Sequence, residues 1–193
     1  VGMQTTLRLP ALEKRELAFI MAVGTGPAAM AREAALCSWN QAAGTLPELA
    51  WIHQQSILQS LGITARQMRL YHAMAPYLFF PELAPVGRVW TGPASKEALW
   101  SAGISGDVPV VVLRIASPDD LDAARHLVRG HAWWRIKGVA PDLVLLDDSA
   151  SGYRDELSGQ LTRLVRMSSE FDQLDVPRGI HVRSRRNLSQ PAW

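Results

Sequence analysis

The sequence predicts an α+β or α/β fold, because apolar strand patterns alternate with amphipathic helix patterns along its second half. Three short apolar runs have the length and β-branched content of strands: Val108–Ile115, Asp142–Leu146 and Ile180–Val182. Helical patterns separate each run from the next, and this alternation favours parallel pairing through right-handed crossovers. We therefore expect a small βαβαβ parallel module, preceded by N-terminal β-strands from an incomplete sheet and by a helical connector.

Residues 1–25 have the alternating pattern of β-strands. Leu7 and Leu9 alternate with polar residues, and a second alternating stretch runs from Leu17 to Val23. Two strands alone are marginal in water and leave unpaired edges. We therefore expect this segment to be the end of a β-sheet whose other strands lie outside the chain.

Residues 26–80 have helical patterns and predict a helical connector. Pro27 suits the first position of a helix, where the missing amide hydrogen costs nothing. Thr64 suits the N-cap of a later helix that runs through Tyr77. We expect Pro76 and Pro81 to stop that helix, since proline removes a donor and crowds the preceding turn.

The rest of the chain divides into an irregular crossing, 81–103, and the α/β module, 104–193. The crossing is rich in proline and glycine. Val108–Ile115 is a continuous run rich in β-branched residues, so we expect both faces of this strand to be covered. Ser117–Asp120 predicts the start of a helix, with a capping serine followed by proline and two acids. Lys137–Gly138 predicts the end of that helix.

Length, composition and charge limit the function classes. The 193 residues are 48% hydrophobic, which allows one sizeable core or two small ones. The formal net charge of +2 predicts no nucleic-acid partner. The locally basic stretch Arg178–Arg186 is expected to be a solvated terminus. Cys37 is the single cysteine, which fits a reducing compartment. No apolar run approaches the roughly 20 residues of a bilayer span, so we expect no membrane contact by this chain.

The glycine and histidine patterns argue against a bound cofactor. Gly103 and Gly106 come before a strand, whereas phosphate-cradling loops place their glycines after a strand, at a helix N-terminus. His126 and His131 are five residues apart, while two ligands on one helix face need a spacing of three or four. We therefore expect neither a nucleotide nor a zinc ion.

Two tryptophans and one aspartate are the candidate sugar-binding residues. Trp90 and Trp100 flank the proline-rich crossing, where an indole ring can stack on a sugar or pack against another domain. Asp107 lies at the strand entry, where its carboxylate can accept hydrogen bonds from hydroxyls or stabilise the turn. The pattern favours packing and the turn, and leaves sugar binding as the functional alternative.

Asp147 and Asp148 are candidate metal ligands. They end the second apolar strand, at the carboxyl edge where open α/β sheets usually bind ligands. Two adjacent carboxylates suit Mg²⁺ with its waters. The alternative, which the pattern favours, is that one of them or Ser149 caps the following helix.

Three ordered segments carry a family resemblance: Leu99–Ile115, Arg129–Gly138 and Val139–Tyr153. Together they resemble the C-terminal phosphorylase-like region of cyclic β-1,2-glucan synthases, which belongs with the cellobiose and chitobiose phosphorylases. The resemblance extends over Leu46–Val182. It departs from the family at Asp147–Asp148, where relatives tend to have Asn-Glu.

The resemblance implies a parent protein that cleaves β-glucosidic bonds with inorganic phosphate, using an aspartate general acid in an α/α barrel. That barrel is expected to follow the matching segment, and the sequence holds no Asp-Trp-Asn-Asp-type run of the kind that carries the acid. No catalytic residue is therefore carried over. The resemblance implies that residues 1–25 are the end of a β-sandwich, so that the N-terminal β-strands come from an incomplete sandwich. It also implies a non-catalytic structural fragment that positions the barrel, with the remainder of the parent polypeptide and β-1,2-glucan as its partners.

Two alternatives stay open at this point. The chain could be an autonomous β-glucan-binding module, or an unrelated α/β domain that binds a metal or a small ligand. The resemblance also implies a location on the cytoplasmic side, with the parent protein in the inner membrane and any anchoring outside this chain.

Overall fold

The computed structural model describes residues 6–14, 21, 23–36, 45–80, 83, 99–149 and 154–187. Two compact units make up the chain, Val1–Ser56 and Ile57–Trp193. The described helices are α1 (Pro27–Leu36), α2 (Leu46–Leu61), α3 (Ala65–Phe79), α4 (Leu121–Ile136) and α5 (Arg154–Arg166), and the strands are β1 (Val110–Ile115), β2 (Asp142–Asp147) and β3 (Ile180–Ser184). The predicted α/β fold is confirmed. None of these helices has both the length and the apolar character that crossing a membrane requires.

The described residues near the N-terminus do not form the first strand that the alternation predicts. Residues 6–10 make no strand pairing, and a turn follows in which Leu12 has a φ of 65°. Pro10 cannot donate a ladder hydrogen bond, and Leu9 is 60% exposed. The second predicted strand lies mostly outside the described residues, so the assignment of 1–25 to a β-sandwich stays a prediction.

In the helical connector, two predicted features are confirmed and one is wrong. Pro27 is the first residue of α1. Thr64 caps α3, because its hydroxyl accepts from the Gln67 amide while the Gln67 side chain accepts from the Thr64 amide. The helix continues through Pro76 and ends at Phe79, two residues before Pro81. Proline removes one donor only, and the Phe80 amide still donates to the Pro76 carbonyl at 2.9 Å.

The three strands form a parallel sheet in the order β1-β2-β3, as the alternation predicts. All six residues of β2 are buried, which agrees with its central position. The register pairs Val144 of β2 with Val112 of β1 and with His181 of β3. These three residues therefore share one face of the sheet.

Both helical crossovers cover the other face. Leu145 packs in one core with residues of α4 and α5, because successive right-handed crossovers that advance in one direction lie on the same side. The face of Val144 is covered by the segment 99–104, whose Ile104 packs against it. Val112 on that face remains 40% exposed. The expectation that both faces of the first strand are covered is therefore wrong.

Helix α4 ends where the sequence predicts, and the predicted helix start is a 3₁₀ turn, Pro118–Asp120, that Ser117 caps and that leads directly into α4 at Leu121. The Ser117 hydroxyl accepts from the Asp119 amide, and the Asp120 carboxylate accepts from the Ser117 amide at 3.1 Å. At the other end, Gly138 adopts a φ of 82°, a conformation that favours glycine after a helix. Local capping chemistry therefore fixes the length of this crossover.

Helix α3 packs against α4 through Tyr71 and Trp134. The Trp134 indole donates to the Tyr71 carbonyl at 2.9 Å, and the two rings meet edge to face with centroids 6.3 Å apart. The Tyr71 hydroxyl donates to the His126 carbonyl at 2.8 Å. Gly130 permits this approach, since a Cβ there would lie 3.0 Å from the Tyr71 ring.

A buried polar cluster ties α4 to the segment that follows α5. The His131 ring lies with Nδ1 2.6 Å from Glu170 Oε2 and Nε2 3.0 Å from the Pro141 carbonyl. Arg135 donates to both oxygens of Glu170, at 3.0 and 3.1 Å. The cluster therefore holds Glu170 and the chain after it against the start of β2.

Candidate functional site

A cavity of about 300 Å³ opens at the amino-terminal edge of the sheet, where β2 and β3 begin. We call it the Trp100 pocket, and its lining residues are Trp100, Gly103, Ile104, Ser105, Asp142, Asp175, Pro177 and His181. This edge is opposite to the carboxyl edge at which the sequence suggested a metal site.

Asp142 is the most constrained polar group of the Trp100 pocket. Only 1% of the residue is exposed, and its Oδ1 accepts from the Arg178 backbone amide at 2.7 Å and lies 3.3 Å from His181 Nε2. Its Oδ2 is buried and has no hydrogen-bond partner among the described residues. A buried acceptor without a donor costs about 1–3 kcal/mol, and more when it is charged. A ligand that donates a hydrogen bond here would remove that cost.

The second wall of the pocket is a row of charged side chains on and beside β3. Asp175 Oδ1 lies 3.6 Å from His181 Nδ1 and accepts from Arg183 Nη1 at 2.6 Å. Arg183 Nη2 also lies 3.4 Å from His181 Nδ1, and its Nε donates to the Ala102 carbonyl. These contacts hold the His181 ring in place, so the wall is rigid and carries both signs of charge.

Trp100 supplies the apolar surface of the pocket. Its residue surface is 58% exposed, and the indole Nε1 donates to the Ser105 carbonyl at 3.1 Å. That hydrogen bond fixes the ring at the cavity while leaving much of it accessible. An exposed, oriented indole next to an unpaired carboxylate oxygen can bind a molecule that has both an apolar face and hydroxyl groups.

The structure brings one of the three predicted sugar-binding residues into this pocket. Trp100 lines it. Asp107 is exposed and is not a lining residue, and its backbone amide donates to the Ser105 hydroxyl at 3.2 Å, which stabilises the turn. Trp90 lies outside the described residues.

Sequence reasoning missed Asp142 and His181. Both lie near the start of predicted strands, where the sequence pattern marks them only as strand residues. One signal was present, since an acid that opens an otherwise apolar, buried strand needs a partner or a function. The partner could not be read from the sequence, because the two residues meet only through the parallel register of β2 and β3.

At the carboxyl edge of the sheet, Asp147 is used as a structural acceptor. Its Oδ1 accepts from the Ser149 amide at 3.0 Å and from the Ser149 hydroxyl at 2.7 Å. Its Oδ2 accepts from the Ser158 hydroxyl at 2.7 Å. The carboxylate therefore joins the end of β2 to helix α5. Across the described part of the chain, no group of three or more His, Cys, Asp or Glu residues has the arrangement of a metal site.

Asp148 points away from Asp147 and pairs with two arginines. Arg114 Nε donates to Asp148 Oδ2 at 3.1 Å, and Arg185 Nη1 donates to both carboxylate oxygens, at 2.9 and 3.1 Å. Hydrogen bonds from Arg114 and then from Arg185 hold the pKa of the Asp148 carboxyl below its ordinary value of 3.8. The charged form is therefore favoured in the folded state.

This pairing predicts a pH-dependent effect of Asp148→Asn. A lowered folded-state pKa stabilises the fold above the unfolded pKa, and that contribution disappears as the pH falls through the folded pKa. The variant should lose about 1 kcal/mol or less at pH 7, because both arginines are exposed. The difference from the wild type should shrink below about pH 4.

Urea unfolding between pH 7 and pH 3 measures this difference. Asp172→Asn, at an exposed aspartate outside the cluster, is the control and should change stability equally little at every pH. A difference for Asp148→Asn that stays constant down to pH 3 would contradict the role of the two arginines.

Comparison with known proteins shows which protein the chain is similar to in sequence. No family model matches the chain. The chain is similar to the cyclic beta-(1,2)-glucan synthase NdvB of Rhizobium meliloti (strain 1021), with 33% identity over 145 residues, which is 74% of this chain. It spans 5% of the length of that curated relative. The resemblance to cyclic β-1,2-glucan synthases is confirmed at this level, and its assignment to the phosphorylase-like region stays a prediction. The chain is therefore related to a segment of a cyclic β-1,2-glucan synthase.

Proposed function

We propose that this chain is a non-catalytic part of a glucan synthase-related protein and that it holds a stretch of β-1,2-glucan in the Trp100 pocket. In this proposal the remainder of the parent polypeptide carries the chemistry, and the chain positions both the glucan and the catalytic unit. The observation that supports it best is the unpaired, buried Oδ2 of Asp142 in the same cavity as an exposed indole.

Sugar chemistry fits the two walls of the pocket. A hexose ring presents C–H groups on its faces, which pack on an indole, and hydroxyl groups around its edge. A hydroxyl that donates to Asp142 Oδ2 would have to displace the side chains that bury this oxygen, and it would then satisfy an acceptor that has no partner among the described residues. A cavity of about 300 Å³ is at the lower end of ligand-site volumes, which suits one or two sugar rings rather than a long segment.

The hydrogen bonds of the pocket favour a role in binding a sugar over a role in catalysis. Both nitrogens of His181 already face partners, Asp142 on one side and Asp175 with Arg183 on the other. A general base needs a nitrogen within reach of a reacting group. The rigid wall is instead suited to binding a sugar in one orientation, which supports the non-catalytic proposal.

Trp100→Ala tests the glucan-binding part of this proposal. Isothermal titration with β-1,2-gluco-oligosaccharides should show saturable binding to the wild-type chain, and the variant should bind about tenfold more weakly because the stacking surface is lost. Calorimetry is preferred to fluorescence, since the substitution removes a fluorophore. Trp51→Ala removes another exposed indole, 64% exposed on α2 and not in the pocket lining, and should bind as the wild type does.

Asp142→Asn separates the carboxylate from the indole. The amide places a donor where the ligand hydroxyl would donate, so affinity should fall by about tenfold while Trp100 is unchanged. Equal affinity in the wild type and in Trp100→Ala would show that the glucan binds elsewhere. No heat with any oligosaccharide would contradict glucan binding. Release of glucose 1-phosphate from glucan and inorganic phosphate by the purified chain would contradict the non-catalytic role.

A further inference from the structure

We propose that a second cavity, between α4 and α5 and beside the end of α2, binds a small organic phosphate. Its volume is about 780 Å³, and it lies within the unit Ile57–Trp193. We call it the arginine cleft, since Arg125, Arg129 and Arg163 line it together with an apolar floor of Leu121, Val128 and Leu164. It is separate from the Trp100 pocket, with no lining residue in common.

The charge of the arginine cleft is not balanced by its own walls. Arg125 and Arg129 are one helical turn apart on α4, and Arg163 faces the same cavity from α5. No described Asp or Glu is among the lining residues. Like charges one turn apart on a helix are mildly destabilising, so helix formation alone does not explain the arrangement.

Two described carboxylates on the helices that flank the cleft are engaged with other groups. Asp122 pairs with Arg125, and Glu156 accepts a hydrogen bond from Gln160 at 3.2 Å. Arg129 and Arg163 form no ion pair within the described ranges. Two guanidinium groups are therefore available to an anion, and Arg129 is only partly exposed, so part of its hydration is already lost.

Phosphate on a small carbon frame fits this combination. Guanidinium groups bind phosphate oxygens through pairs of parallel hydrogen bonds. Leu121 and Leu164, which are partly buried, offer an apolar surface to the rest of the ligand. The cavity volume lies within the range of sites for small molecules.

A purely structural role for the arginines makes a different prediction. Arg163 lies in the last turn of α5, and Arg129 Nη2 lies 3.9 Å from the position that a Cβ on Gly62 would take, at the end of α2. Cations near helix C-termini stabilise the helix dipole. If this were the whole role, Arg→Met variants would lose stability and no phosphate would bind.

Titration calorimetry of the 193-residue chain with glucose 6-phosphate tests the proposal, at an ionic strength held constant with NaCl. We expect saturable binding of glucose 6-phosphate, weaker binding of inorganic phosphate, and none of glucose in the arginine cleft. Arg129→Met and Arg163→Met should each weaken glucose 6-phosphate binding about tenfold or more. Arg166→Met, on the same helix as Arg163 and not in the lining, should leave the affinity unchanged.

Urea unfolding of each variant shows whether it remains folded, so that a loss of binding is not a loss of structure. Glucose binding that is removed by Trp100→Ala and kept in Arg129→Met belongs to the Trp100 pocket and leaves this proposal intact. Glucose 6-phosphate binding that is equal in wild type, Arg129→Met and Arg163→Met would overturn it, as would no binding at all. Neither result bears on the glucan experiments, because the two cavities share no residue.

Discussion

Replacing Trp134 by alanine is expected to lower the free energy of unfolding by about 3–5 kcal/mol. The side chain is buried, with 1% of the residue exposed, and it lies in the cluster that joins α3 to α4. Alanine would leave a cavity and would also remove the indole donor of the Tyr71 carbonyl, a hydrogen bond of 2.9 Å. Urea unfolding followed by circular dichroism measures the loss.

Trp100→Ala is the matched control for this prediction. It deletes the same side chain from an exposed position, where it is 58% exposed, and should change the free energy of unfolding by about 0.5 kcal/mol or less. A loss of less than about 1.5 kcal/mol in Trp134→Ala would mean that α3 and α4 are not held together as described.

Gly179→Ala is expected to destabilise the protein by about 3 kcal/mol or more. A Cβ at this position would overlap the backbone carbonyl oxygens of Gln173 and Val176, which cannot rotate away as a side chain can. Gly179 also accepts from the Leu143 amide at 2.8 Å, so relief of the overlap would pull β3 from β2. The variant should unfold at lower urea concentration.

Gly159→Ala, the same type of substitution at another position, is expected to stabilise the protein. Gly159 lies within α5, and a Cβ there would meet no atom within 4 Å. Alanine should stabilise the helix by about 0.5–1 kcal/mol, since glycine loses more backbone entropy on folding. Equal effects of the two glycine variants would contradict the steric reason given for Gly179.

Local chemistry in the sequence was sufficient to predict the elements of the second unit. Ser117 and Thr64 cap their helices through partners two or three residues away, so the sequence contains the whole interaction. The apolar runs that became β2 and β3 are equally local. Parallel pairing followed from the alternation of these elements.

What the sequence did not predict depends on contacts between distant segments. Val112 is exposed because both crossovers lie on one face of the sheet, which no property of its own strand reveals. The Trp100 pocket forms only where the turn before β1 meets the starts of β2 and β3, at one edge of the sheet. Asp142 and His181 are 39 residues apart in the chain. The metal hypothesis for Asp147 and Asp148 rests on the general rule that open α/β sheets bind ligands at the carboxyl ends of their strands. In the structure, Asp147 instead accepts hydrogen bonds from Ser149 and Ser158.

The His131–Glu170 cluster has a consequence for how a ligand would be received. Glu170 accepts from the Gln173 amide through its carbonyl, and the Asp175 amide donates to Ile180 at 2.9 Å, so the loop leading to Asp175 is braced at both ends. A molecule that binds beside Trp100 would contact a pocket wall whose side chains are already held in position before it binds. Little conformational entropy would then be lost on association, and even a small contact area could give measurable affinity.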